Sequence, residues 1–312
     1  MTLGGGATEI HGHRGARGLR PENTLPGFAH AFELGVDAVE LDVGLTADGV
    51  VVLSHDQTVS PITCTDTGPV TPGDPLYPYV GRPIRSLTLD RFKTLDAGVR
   101  QTTDVDPYLF TQLPMPGTPP PTLAEVCALL RLYDSNRLGL AIELKTDPSW
   151  PDEAVQAFVA AVAAVVEAHG LVRRSRVLGF DWRVLTAACD LAPGLGRVAL
   201  VEPKTVVPGS PWLAGLPADD YLASAVMAGA TVLSPDHEMV TPELVFDAHT
   251  LGLPVAPWTV NDEQEMSRLL EYGVDAMVTD YPTRLRTVMT TYGLPLPRPA
   301  ALRSLLSAPF AS

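Results

Sequence analysis

Lysine, cysteine and long apolar runs are all scarce in this chain of 312 residues. The three cysteines, Cys64, Cys127 and Cys189, are odd in number and far apart. That spacing excludes a disulfide framework and a zinc-finger-like ligand set. No apolar run reaches membrane-spanning length, and the Gly-rich start, residues 1–8, lacks the basic-then-apolar order of a signal peptide, so the reading is a cytoplasmic protein, or a secreted or periplasmic one if a leader was removed, without stable membrane insertion. Positive charge is short too: 22 Lys and Arg stand against 36 Asp and Glu, a formal charge of −14. This excludes nucleic acid and anionic membrane surfaces as partners, because both need clustered cations. A small phosphate-bearing ligand is still allowed, since a metal and one or two local cations reverse the field inside a cleft. There is no internal repeat of solenoid length.

What is present is a βα rhythm. Short apolar runs over residues 9–13, 38–43, 139–145, 176–181, 196–202, 231–235, 254–260 and 276–280 read as strands. Amphipathic stretches over 24–34, 154–169, 182–191, 241–251, 262–272 and 283–292 read as helices. Eight strands in this alternation predict a (β/α)8 barrel, a TIM barrel, in a single domain spanning 1–312. Residues 57–121 break the rhythm: they are Pro-rich, end in Pro119-Pro120-Pro121 and hold one short helix near 87–95. A Pro-rich insertion of this length after the second strand reads as a lid over the barrel mouth. Residues 293–312, with Pro295, Pro297 and Pro299, read as a C-terminal extension on the surface.

In such barrels chemistry sits at the carboxyl ends of the strands. Glu40 and Asp42 lie two apart on the second strand and share a face. Two buried carboxylates repel unless a cation lies between them. Glu143 and Lys145 repeat the spacing on the third strand, so three acids form a shell for a hard divalent cation, Mg2+ or Ca2+, with Mn2+ possible. Lys145, one of only three lysines, is a point charge for a phosphate or a metal-bound anion. His13 and His55 flank the acidic strand as a general acid–base pair. Arg14 brings a fork suited to phosphate oxygens, and Glu22 is a further site member. Asn23 is read as structural, a helix-capping residue beside Thr24. Trp258 is either core filling or a wall for the alcohol part of a substrate.

These residues fall in the segments His13-Arg14-Gly15, Pro21-Glu22-Asn23-Thr24, Glu40-x-Asp42, Thr46-x-Asp48-Gly49, His55-Asp56, Glu143-x-Lys145, Trp258-Thr259-Val260-Asn261 and Val278-Thr279-Asp280-Tyr281-Pro282. In this the chain resembles the glycerophosphodiester phosphodiesterase family from about His11 to Leu285. The resemblance implies a barrel that hydrolyses small-molecule glycerophosphodiesters to glycerol 3-phosphate and an alcohol, through a cyclic phosphate. It implies a divalent cation on Glu40, Asp42 and Glu143, acid–base work by His13 and His55, and phosphate contacts from Arg14 and Lys145. Two other hydrolases share elements of the pattern. His11-Gly12-His13, with His237 and Asp280, could hold zinc as amidohydrolase-like enzymes do. A phospholipase D-like enzyme of the same barrel group, acting on lyso- or sphingo-phospholipids, would need an apolar docking surface, for which Leu76, Tyr77 and Tyr79 are candidates.

Overall fold

The computed structural model describes residues 8–101 and 105–303. Its centre is a curled sheet of parallel strands: β1 (Glu9–Gly12), β2 (Ala38–Leu45), β6 (Gly139–Leu144), β7 (Ser175–Gly179), β8 (Gly196–Val201), β9 (Val232–Pro235) and β10 (Ala276–Thr279). They run in the order β10-β1-β2-β6-β7-β8-β9. The gap between β9 and β10 is filled by residues 254–260. On one side the Leu233 N–H donates to Pro254 and the Ala256 N–H to Leu233; on the other the Val278 N–H donates to Pro257 and the Val260 N–H to Val278. The expected seventh strand is thus in place and the (β/α)8 barrel closes. Its ladder is interrupted because Pro254 and Pro257 have no N–H to donate.

The strands alternate as a closed barrel requires. On β2, Val39, Leu41 and Val43 pack outward against the helices, and on β6 Leu140, Ile142 and Leu144 do the same. Inward-facing Ala141, Leu178, Val198, Leu200, Val232, Ala256 and Ala276 fill the barrel's centre. Around it lie α1 (Leu25–Leu34), α3 (Leu123–Leu132), α4 (Asp152–Ala168), α5 (Arg183–Leu191), α6 (Tyr221–Met227), α7 (Pro242–Thr250), α8 (Glu263–Tyr272) and α9 (Pro282–Thr291). Local chemistry sets their ends: Thr24 caps α1 through the Gly27 N–H, and Gly35 closes it at φ 87°, a left-handed turn glycine adopts freely. Two further helices, α3 and α6, lie outside the stretches that periodicity marks. α3 begins with a Thr122–Glu125 capping box directly after the proline run that obscures it, and α6 is only seven residues long.

The insertion after β2 contains β3 (Val51–Leu53), antiparallel to β2, the paired β4 (Thr65–Asp66) and β5 (Leu95–Asp96), and α2 (Leu89–Phe92), shorter than the helix expected over 87–95. It has its own small core of Val52, Val59, Tyr79, Ile84, Leu87, Phe92 and Leu95. Tyr79 is fully buried there, and Leu76 packs against the same cluster. Of the surface suggested for lipid docking, Tyr77 alone is exposed. At the C-terminus the chain through Arg303 is tied back: the Ala300 N–H donates to Phe32 and the Arg303 N–H to Leu132. The Gly-rich start, residues 1–7, and the last residues of the extension lie outside the described residues.

Candidate active site

The acidic centre follows from register. Asp42 on β2 is paired directly with Glu143 on β6, and Glu40 lies two residues back on the same inward face. One oxygen from each of Glu40, Asp42 and Glu143 lies within 4.8 Å of the others. Glu40 and Asp42 are buried. Lys145 Nζ stands 2.6 Å from Glu143 and 2.9 Å from Asp42 Oδ1, and Arg14 Nε is 3.2 Å from Asp42 Oδ2. Three carboxylates against two cations leave one negative charge. Burial, Asp42 and Glu143 together push Glu40 well above the usual carboxylate range. Burial would raise Asp42 as well, but Lys145 and Arg14 hold it well below its ordinary value.

Among the described residues, Glu40 Oε1 is buried without a hydrogen-bond donor, whereas Asp42 Oδ1 has the Lys145 ammonium 2.9 Å away. A buried carboxylate oxygen left unpaired costs free energy. An oxygen-seeking divalent cation satisfies Glu40 and turns the local balance from −1 to +1, the charge that matches a phosphodiester. The acidic triad can thus bind a divalent metal. The zinc-type alternative does not assemble: His11 turns to Glu9, 2.9 Å away, His237 pairs with Glu265, and among the described residues the group able to hold an ion consists of carboxylates alone.

The loop after β1 supplies the next layer. Arg14 takes the left-handed region at φ 49°, and its backbone N–H donates to Glu40 Oε2 at 2.9 Å. Asn23, at φ 53°, clamps Asp42 from two sides: its amide nitrogen donates to Oδ2 at 2.9 Å, and its amide oxygen accepts the Asp42 N–H at 3.2 Å. Asn23 therefore positions the Asp42 carboxylate as well as the backbone. Glu22 accepts from Arg14 at 2.6 Å and from Arg100 at 3.1 Å, so it stands behind the guanidinium rather than along the main cavity. Asn23→Gly keeps the left-handed backbone accessible and removes only the clamp. Loss of such an outer contact is expected to weaken divalent-cation binding by about 10- to 100-fold, as calorimetric titration would measure.

His13 follows β1 and is buried. Its Nδ1 lies 2.7 Å from Asp280 Oδ1. A carboxylate only accepts, so Nδ1 carries the proton and Nε2 faces the acids, 3.7 Å from Glu40. Burial lowers the His13 pKa to about 4 despite the pull of Asp280; the ring is neutral near pH 7. His55, after β3, pairs through Nδ1 with Asp56 at 2.8 Å and is partly open to solvent. Asp280 collects donors from across the chain: Arg17 at 3.0 Å, the Tyr108 hydroxyl at 2.9 Å and the Asn261 amide at 2.7 Å.

Burial opposes the charge on Asp280, yet His13 and Arg17 hold its pKa far below the usual value. Its contribution to stability is full above the ordinary Asp pKa of about 4 and fades as pH falls below that toward the lowered folded-state value. Asp280→Asn should therefore melt at a lower temperature than the wild type at pH 7, and the gap should narrow only below about pH 4. Thermal melts at several pH values read this directly.

A cavity of about 510 Å3 joins these groups: His13, Arg14, Glu40, His55, Glu143 and Lys145 line it together with Phe180, Glu202, Trp212 and Trp258. Trp258 is half-buried, and its indole N–H donates to Ser234. Sequence offers Asp280 only as a zinc ligand in the amidohydrolase-like alternative, and gives Arg17, Tyr108 and Arg100 no role. Only the strand-end position of Asp280 offered a signal; Tyr108 and Arg100 come from the insertion. Acids spaced for a divalent ion, two cations and two carboxylate-oriented histidines at the mouth of a barrel are the equipment of a hydrolytic phosphoryl-transfer enzyme.

The comparisons with known proteins narrow that class. The model of the glycerophosphoryl diester phosphodiesterase family matches residues 13–284. The chain belongs to this family of phosphoric diester hydrolases. It is 29% identical to a glycerophosphodiester phosphodiesterase of Caldanaerobacter subterraneus, over 89% of this chain and 96% of the relative. A crystal structure from Silicibacter pomeroyi, provisionally named a glycerophosphoryl diester phosphodiesterase, is 33% identical with a TM-score of 0.83, covering 94% of this chain and 97% of that one. An Oleispira antarctica phosphodiesterase, solved with its product sn-glycerol-3-phosphate, shares the fold at 23% identity and a TM-score of 0.67, with 91% and 97% covered. No helix among the described residues is long and apolar enough to cross a membrane.

Proposed function

We propose that this protein hydrolyses glycerophosphodiesters to glycerol 3-phosphate and an alcohol, using a divalent cation, Mg2+ or Ca2+, held by Glu40, Asp42 and Glu143. The observation that supports the reading is the acidic triad Glu40, Asp42 and Glu143, with the Glu40 Oε1 oxygen unpartnered, beside a cavity lined by two carboxylate-oriented histidines. When bound, the cation supplies positive charge to the phosphoryl oxygens as charge builds there. Arg14 and Lys145 bind and orient the phosphate from either side of Asp42, and Glu22 fixes the plane of the Arg14 fork. His13, held neutral and facing the cavity through Nε2, takes the proton from the attacking hydroxyl of the glycerol. His55, closer to solvent, delivers a proton to the departing alkoxide. Attack by the neighbouring hydroxyl gives a cyclic phosphate and gains from proximity; water then opens the ring with the roles of the histidines reversed.

The insertion acts as a rim that locks this arrangement, because Arg100 reaches Glu22 and Tyr108 reaches Asp280. Phosphorus NMR of a glycerophosphocholine digest tests the reading. Glycerol 3-phosphate as the phosphorus-bearing product is expected. Phosphocholine, or no turnover, would contradict it.

A further inference from the structure

The donors around the Asp280 carboxylate are shared unequally between its two oxygens. Oδ1 accepts from His13 Nδ1 at 2.7 Å and from Arg17 Nε at 3.0 Å. Oδ2 accepts from Arg17 Nη2 at 3.1 Å, the Tyr108 hydroxyl at 2.9 Å and the Asn261 amide at 2.7 Å. A carboxylate is planar, so whatever grips Oδ2 also sets the direction in which Oδ1 meets the His13 ring. Arg17 and Asn261 belong to loops of the barrel itself, whereas Tyr108 is brought in by the insertion.

The way Tyr108 is held is unusual for its segment. It is 6% exposed, while its neighbours Val105, Leu109 and Phe110 are 87%, 47% and 95% exposed. Packing of the segment does not account for the burial of this one ring; its own polar and ring contacts do. The guanidinium groups of Arg17 and Arg100 sit over the ring, 4.9 and 5.1 Å from its centroid, an attraction that strengthens away from water. The Tyr108 N–H donates to Asp106 Oδ1 at 3.0 Å, and Arg100 grips the same carboxylate. Burial and the charge of Asp280 hold the phenol above its ordinary pKa, so the hydroxyl keeps its proton and donates it. Neither Tyr108 nor Asp280 is among the residues lining the cavity. The hydroxyl therefore reaches the reacting groups only by way of Asp280 and His13.

We infer that Tyr108 is a positioning residue: its hydroxyl fixes the Asp280 carboxylate, which holds the His13 ring with Nε2 toward the attacking hydroxyl. The inference rests on the diesterase reading above. It gives the insertion a part in the proton-transfer step that is separate from any covering of the substrate.

Steady-state kinetics with glycerophosphocholine test it, comparing the loss caused by Tyr108→Phe in the unaltered protein with the loss in the His13→Ala background. The phenyl ring keeps its place beside the two arginines, and only the hydroxyl is removed. In the unaltered protein kcat is expected to fall about tenfold with KM within about twofold; in the His13→Ala background no further fall is expected, because the effect runs through His13. Phe110→Ser, on the same surface turn, should keep full kcat. Unchanged kcat in Tyr108→Phe, the same loss in both backgrounds, a loss carried in KM, or an equal loss in Phe110→Ser overturns the inference and leaves the diesterase reading intact. No turnover of glycerophosphocholine by the unaltered protein overturns both.

Discussion

Glu40→Gln and Glu143→Gln are expected to lower turnover of a glycerophosphodiester by at least about a thousandfold while leaving the barrel folded. Each change removes a negative charge from a centre whose net of −1 is what calls for a divalent ion. A cation at the reacting phosphoryl group supplies several kcal/mol, and each 1.4 kcal/mol is a factor of about ten. The amide is the same shape as the acid, so the packing around it is disturbed little. Burial and like charges already push Glu40 and Glu143 above the usual carboxylate range, so neutralising either relieves repulsion. The two variants should therefore melt no lower than the wild type in the absence of added metal, and lose most of the stabilisation that metal confers. Asp42→Asn differs. It strips Arg14 and Lys145 of their shared carboxylate and should lose stability as well as activity, because two buried cations are left underpaired. Steady-state kinetics with melts in the presence and absence of Mg2+ or Ca2+ would separate these patterns. Full activity in Glu40→Gln would remove the basis for the metal assignment.

His13→Ala should reduce kcat by about a hundred- to ten-thousandfold, the range typical of a lost acid–base group, with little change in KM. His55→Ala should fall in the same range. In the proposed mechanism both histidines serve each turnover, so the double variant should be only slightly worse than either single one. The partners of the two rings distinguish them further. Asp280 is buried and fixes the His13 tautomer, so Asp280→Asn should approach His13→Ala in its effect on kcat. Asp56 lies at an exposed position beside a half-exposed ring, so Asp56→Asn should cost much less. If Asp280→Asn retained wild-type kcat, the orientation argument for His13 would fail.

Periodicity made the inner half of this site legible. Glu40, Asp42, Glu143 and Lys145 occupy alternate positions on two strands, and a period of two projects them to one face wherever the fold is a barrel. The rest depended on what folding brings together. Asp280 is 267 residues from the histidine it orients, and its other partners, Arg17, Tyr108 and Asn261, come from three separate loops. Glu22 reads in sequence as a polar residue near a helix start, and only the approach of Arg100 from the insertion reveals it as the brace of Arg14. Of the indoles lining the cavity, Trp258 stands at a strand end, whereas Trp212 sits in a loop whose path no pattern announces. The barrel was readable for the same reason as its acids. The seventh strand position, where two prolines break the ladder, was placed by its apolar run. α3 and α6 were lost to a preceding proline run and to brevity.

The measurement closest to the centre of the account is release of glycerol 3-phosphate from glycerophosphocholine by metal-stripped protein, with Mg2+, Ca2+, Mn2+ or Zn2+ returned one at a time. The all-oxygen triad predicts no activity without metal and recovery with Mg2+, Ca2+ or Mn2+, abolished by Glu40→Ala. Full activity in the stripped protein, or recovery with Zn2+ alone, would contradict it.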